Sequence, residues 1–243
     1  ALRDMIPRDR RKLYNMRTLI SHVIDTESFF EIGSEYGRGQ ITALARLSGQ
    51  PVGIWANNCR YLAGAMTALG ARKARRFIEF CETFHLPIIC FVDEPGFMIG
   101  SEAEHEGTIR DGTATVLTAS LSTVPWASVV VRRSFGVAQA AHYGQDAYVL
   151  AWPSAEMGAL PVEGGVAVAY HREIASARDP EAKRAELEAQ LSVGQSPMSR
   201  AESFSLHDII DPAETRSMLC NWIDRIQPIL PNLLGPTSFP TRP

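Results

Sequence analysis

Residues 71–84 read ARKARRFIEFCETF, and residues 87–100 follow as PIICFVDEPGFMIG. In the first stretch Ala74, Phe77, Ile78, Cys81 and Phe84 recur at helical spacing, with Lys73, Arg75, Arg76 and Glu79 elsewhere. That pattern predicts an amphipathic helix. In the second, residues 87–92 form a continuous apolar run, which suits a strand buried on both faces. A helix leading directly into a doubly buried strand is the unit of a sheet with crossover connections.

The alternation extends in both directions. Downstream, 113–122 predicts a buried helix, 127–131 a strand, 136–144 the start of a small-residue helix, and 147–151 another short strand. Upstream, 15–25 predicts a short helix, and FFEIG, ITALARLSG and PVGIWANN predict paired strands about a Gly49-Gln50-Pro51 turn. Beyond Trp152-Pro153 come a Gly-rich stretch (162–170), a charged helix (179–192) with a solvated or partner-covering face, and a last helix at about 212–226. The Pro-rich tail from Pro228 reads as a strap or a loose end. The expected class is α/β.

The 243 residues carry 24 Lys and Arg against 27 Asp and Glu, a formal charge of −3, with 45% hydrophobic positions. This excludes disorder and a membrane-embedded chain. It also gives no general attraction to nucleic acid or anionic lipid, the only basic cluster being Arg8, Arg10, Arg11 and Lys12. Cys59, Cys81, Cys90 and Cys220 form no CxxC pair and no metal-cage spacing, so no metal and a reducing, cytoplasmic setting are expected. No apolar run reaches the ~20 residues that span a bilayer. Residues 1–15 are charged and linker-like rather than signal-like, and with Ala at position 1 they read as a trimmed end or a piece of a longer chain.

Three segments stand out as candidate sites. Asp93-Glu94-Pro95-Gly96-Phe97 turns sharply at a strand's carboxyl end, where ligands of open α/β sheets gather; the alternative is a turn with a capping or solvated acid. Arg132–Gln139, after the next strand, is rich in small residues that let backbone N–H groups approach a ligand; the alternative is close helix–sheet packing. In residues 151–160 Trp152 reads as a core or interface aromatic and Glu156 as a cap or ion-pair partner. The sequence has no Gly-x-Ser-x-Gly elbow, phosphate loop or HExxH. Its six histidines are scattered, and each reads as a surface or satisfied residue; His142 alone follows the small-residue segment by one turn.

Taken in order, PRDRRKLYNMRTLISHVIDTESFFEI, ITALARLSGQPVGIWANN, KARRFIEFCETFHLPIICFVDEPGFMIG, EHEGTIRDGT, TVPWASVVVRRSFGVAQA, AWPSAEMGALPVEGGVA and DIIDPAETRSML resemble one known domain. It is the C-terminal domain of the carboxyltransferase (beta) subunit of biotin-dependent acyl-CoA carboxylases, of the propionyl-CoA or acetyl-CoA type. The resemblance implies a crotonase-like fold of repeated ββα units with stacked sheets and flanking helices, occupying residues 16–243. It also implies carboxyl transfer from carboxybiotin, borne on a separate carrier domain, to the α-carbon of an acyl-CoA. The partners implied are an N-terminal carboxyltransferase half that holds much of the acyl-CoA, a biotin carboxyl carrier protein and a biotin carboxylase, in a homo- or hetero-oligomer.

In that family the biotin-facing pattern Arg-Lys-Ala-Tyr-Gly-Gly-Ala-Tyr aligns with Arg132–Gln139. The resemblance thus implies that the N–H groups of Val137 and Ala138 are the catalytic oxyanion donors. It puts Phe135, Gly136, Pro95, Gly96 and Phe97 at the biotin, and Gln139 and Ala140 at the substrate pocket. Among the departures from that pattern, Val137 replaces the second Gly, and Gln139 the following Tyr. A backbone N–H survives Gly→Val, whereas a positive φ or a very close approach does not. Met66-Thr67 also replaces the family's Leu-Asp step. Two other functions are compatible with the sequence: a biotin-independent acyl-CoA decarboxylase or hydrolase, and a non-catalytic scaffold half.

Overall fold

The computed structural model describes residues 1–9 and 12–236. Arg10 and Arg11 of the basic cluster, and the tail beyond 236, lie outside the described residues. Asn15 caps the first helix, α1 (Met16–Ser21), by accepting the Arg17 N–H. The chain then forms an antiparallel meander of β1 (Phe30–Ile32), β2 (Gln40–Leu47) and β3 (Gln50–Asn57). Next come α2 (Ala68–Thr83) and β4 (Ile88–Glu94), which runs parallel to β3. The helices α3 (Ser101–Glu106) and α4 (Thr108–Leu121) lead to β5 (Trp126–Phe135), again parallel.

β6 (Tyr148–Ala151) and β7 (Glu156–Gly158) share one edge of β5: β6 pairs with residues 127–130 and β7 with 133–135. The helices α5 (Val162–Ala169), α6 (His171–Ser176), α7 (Pro180–Val193) and α8 (Pro197–Glu202) precede β8 (Asp208–Ile209), and α9 (Thr215–Ile226) closes the core. The described strands are joined in a single mixed sheet, with β1-β2-β3-β4-β5-β6-β8 in order and β7 on β5. At β5 the sheet divides, β6 and β7 sharing its outer edge.

Side-chain alternation sorts the sheet into two cores. Ile41, Ala43, Val52, Ile54, Ile89, Phe91, Val129 and Leu150 face α1 and α9, and Leu2 and Tyr14 of the N-terminal segment are buried in that same core. Trp55, Ile88, Cys90, Val92 and Val130 face α2 and α4. The doubly apolar run is β4, buried at every position.

The Gly-rich stretch 162–170 is mostly helix α5, whose Val162 and Val166 pack with Ile174 and Leu187 in a satellite cluster. The strand expected at 127–131 continues through Arg132 and Arg133 to Phe135, because a buried carboxylate on β4 neutralises the arginines.

Candidate functional site

The adjacent acids at the end of β4 do not cap a solvated turn; both are fully buried. Their partners come from three neighbouring segments. Between Val92 and Glu94 the β4–β5 register shifts, so that Val92 pairs with Val130 but Glu94 with Ser134. The extra length in β5 lets both arginines reach one acid. Arg132 Nη2 donates to Asp93 Oδ2 at 2.8 Å and Arg133 Nε to Oδ1 at 2.8 Å. The Tyr14 hydroxyl donates to Oδ2 at 3.0 Å. Burial pushes the Asp93 carboxyl up, but the Arg133 charge and the hydrogen bonds from both arginines outweigh it and leave it below the usual carboxylate range. The other Arg133 amine donates to Ala63 O at 2.6 Å, holding a turn in which Leu62 and Ala63 have positive φ of 46° and 55°.

Glu94 serves the other side of the same strand end. Its Oε1 accepts the Gly96 N–H at 2.9 Å, and its Oε2 accepts Asn57 Nδ2 at 3.0 Å and meets His142 Nε2 at 3.1 Å. His142 is fully buried and stacked on Trp55 with ring centroids 4.1 Å apart. One carboxylate thus joins the loop after β4 to the end of the turn after β5.

The Pro95–Phe97 loop is fixed from both sides. Met66 N–H donates to Gly96 O at 3.1 Å, Met98 N–H returns to Met66 O at 2.8 Å, and the Phe97 ring lies where a Cβ on Gly112 of α4 would approach to 2.3 Å. Thr67, at the departure from Leu-Asp, caps α2 by accepting the Gly70 N–H at 3.1 Å, so the capping function survives the change of residue.

After β5 the chain enters a short 3₁₀ turn, Val137–His142. Its entry residue, Gly136, has φ 67° and ψ −163°, a region essentially confined to glycine. The positive φ falls on Gly136 and not on Val137, so the β-branched residue is conformationally free to stand there. The residue is 64% exposed. As the leading amides of a helical turn, Val137 and Ala138 N–H have no acceptor within it. Ala140 is exposed, Gln139 half-buried, and the Phe135 ring is enclosed against Gly158. The fold therefore brings 95–97 and 135–140 to the same ends of adjacent parallel strands. Such an arrangement offers backbone donors to an anionic group.

Several parts of the site were not singled out from the sequence. Asn57 accepts the Asp93 N–H at 3.0 Å as well as donating to Glu94, and Ser134, Tyr143 and Gly158 O form the back of the turn. Trp152 is core, its Nε1 donating to Thr215 Oγ1 at 2.9 Å. Among the described residues no group of three or more His, Cys, Asp or Glu could hold a metal ion, and no helix is long and apolar enough to cross a membrane.

The mixed sheet, its divided edge and the glycine-entered turn at the strand ends define an α/β domain of the crotonase-like class. The carboxyl transferase domain model matches residues 1–225, and the chain belongs to that family. It is 36% identical over 228 residues to the methylmalonyl-CoA carboxyltransferase 12S subunit of Propionibacterium freudenreichii subsp. shermanii, covering 92% of this chain and 43% of the relative. It is 35% identical to the propionyl-CoA carboxylase carboxyltransferase subunit of Haloferax mediterranei, covering 90% and 43%. The crystal structure of a transcarboxylase 12S hexamer, with methylmalonyl-coenzyme A and methylmalonic acid bound, superposes with a TM-score of 0.88 at 34% identity, covering 100% of this chain and 46% of that one. The chain spans less than half the length of these relatives.

Proposed function

We propose that this chain is the half of a biotin-dependent acyl-CoA carboxyltransferase that receives carboxybiotin, while a partner half holds most of the acyl-CoA. The observation that carries this reading is the Gly136-entered turn that follows directly on the carboxyl end of β5, with Val137 exposed and Ala138 buried beneath it. Carboxybiotin, when bound, supplies the carboxyl group and a ureido nitrogen able to take the α-proton. The chain's own task is positioning and charge stabilisation. Val137 and Ala138 N–H donate to oxygen bearing developing negative charge, and Gly136 aims them. The Pro95–Phe97 loop borders the same site, Phe135 supports it from within, and Gln139 and Ala140 flank the acyl group. Residues fitted to this group are present, since the donors are backbone amides that Val137 leaves intact.

The domain comprises 16–243, and the stretch 1–15, which would join the two halves, packs into its core through Leu2 and Tyr14. Its partners are the acyl-CoA half, a biotin carboxyl carrier protein and a biotin carboxylase, in a cytoplasmic oligomer. Ile99, Ile109, Leu117 and Val137 are apolar and exposed, and α4 packs against the turn, which supports a partner surface beside the site. The test reconstitutes the chain with an acyl-CoA half and a carboxylated biotin carrier and follows labelled carboxyl transfer to propionyl-CoA. Carrier-dependent transfer is expected. Loss of CO₂ from methylmalonyl-CoA without any need for biotin would overturn the reading.

A further inference from the structure

The turn that bears the two amides is tied down at its back by a chain of side-chain hydrogen bonds. Gly158 O, on β7, accepts the Gly136 N–H at 3.1 Å and Gln139 Nε2 at 3.1 Å. Gln139 Oε1 accepts the Ser134 hydroxyl at 2.9 Å, and that same hydroxyl oxygen lies 2.7 Å from Tyr143 OH. A serine has one proton. If it goes to the Gln139 carbonyl, Tyr143 must donate to Ser134, which fixes the order Tyr143 → Ser134 → Gln139 → Gly158. Burial pushes the Tyr143 hydroxyl up to about 12, so it stays protonated and remains a donor.

We propose that Gln139 is a positioning residue, its amide a strut that holds the Val137 and Ala138 N–H groups at a fixed angle to the strand ends. This rests on the carboxyl-transfer reading and sharpens the role of Gln139 within it. The Gln139 amide has a protein partner at each end, Ser134 at Oε1 and Gly158 O at Nε2, which ties it to the turn. It also helps line a cleft of about 780 Å³, with Tyr143, Gly158, Arg200 and His207.

The test uses two readouts on Gln139→Leu. In the isolated chain, amide hydrogen exchange of the 136–142 segment is expected to rise about tenfold or more with the melting temperature nearly unchanged, since local opening is freed while the core is untouched. In the reconstituted assembly, kcat is expected to fall about tenfold to a hundredfold, the scale of a small misplacement of catalytic groups, with KM and acyl-chain preference held. Ser134→Ala, which releases only one end, gives a smaller change of the same kind and serves where Gln139→Leu fails to fold. The double variant is no worse than Gln139→Leu. Unchanged exchange, or a raised KM with altered chain preference and retained kcat, overturns the strut. Faster exchange in a variant whose parent assembly transfers no carboxyl group upholds the strut and refutes the carboxyl-transfer reading instead.

Discussion

Asp93→Asn is the most demanding test of the buried network. Asp93 is fully enclosed and takes Arg132, Arg133 and the Tyr14 hydroxyl on two oxygens. Asn presents one oxygen to these donors and turns an N–H₂ group against the rest. Two guanidinium groups then remain at the site without a counter-charge, one 6% and one 20% exposed at its side chain. Removing one partner of a buried pair costs about 3–5 kcal/mol. At about 2–4 °C per kcal/mol for a chain of this size, Tm falls by about 6–20 °C.

The pH dependence follows from the direction of the shift. The folded carboxyl lies below its unfolded value of about 3.9, so its contribution is complete above that pH and is lost as the pH falls through the folded value. The gap between parent and variant should thus be full at pH 7 and shrink below about pH 4. Thermal melts by circular dichroism from pH 3 to 7 measure both effects. A fall of less than about 3 °C at pH 7, well short of what the loss of a buried partner costs, or a gap that widens in acid, would refute the assignment.

Gly136→Ala puts a Cβ on φ 67°, ψ −163° and should cost about 1–3 kcal/mol, seen as a lowered urea midpoint; an unchanged midpoint would mean the turn re-forms without strain. Ala138→Pro deletes one proposed donor and should lower kcat in the reconstituted assembly about 10²- to 10³-fold, and full activity would favour a scaffold role. Val137→Gly should leave melting temperature and kcat close to the parent's, because the side chain is exposed and carries no positive φ; a large gain in kcat would show that the isopropyl group obstructs the donors. His142→Leu strips Glu94 of one partner and should cost about 1–3 kcal/mol, while Glu94→Leu with His142→Leu should be more destabilised than the single variant, because the Gly96 N–H and Asn57 Nδ2 then lose their buried acceptor as well; a double variant as stable as the single one would refute the role given to Glu94.

The α/β alternation was legible because its signals are local. The helical stripe of 71–84 and the apolar run of 87–92 each need only a dozen neighbouring residues to be read. The ends of β4 and β5 were not legible in the same way. Asp93-Glu94-Pro95-Gly96 has the composition of a solvated turn, and nothing nearby shows that the partners lie 79 positions away at Tyr14 and 39 and 40 away at Arg132 and Arg133. For the same reason Arg132-Arg133 read as lying just after a strand, whereas β5 runs through them to Phe135. His142 read as a surface or satisfied residue; it is buried, its Nε2 is met by Glu94, 48 residues before it, and its Nδ1 has no hydrogen-bond partner among the described residues. The Gly158 carbonyl carries no sequence signal at all, since its role depends only on where β7 lies against β5.

The replacement at 137 shows which part of the turn is constrained. If the family's two glycines were both needed for backbone conformation, a β-branched residue at the second would distort the turn. Here the positive φ belongs to Gly136 alone, and Val137 needs only to keep its N–H and direct its side chain to solvent. The second departure falls where the turn is anchored: Gln139 spans from Ser134 to Gly158. These two exceptions to the family pattern are therefore of different kinds. One leaves the donors unchanged, and the other governs how firmly they are aimed, so variation at 139 should alter turnover where variation at 137 does not.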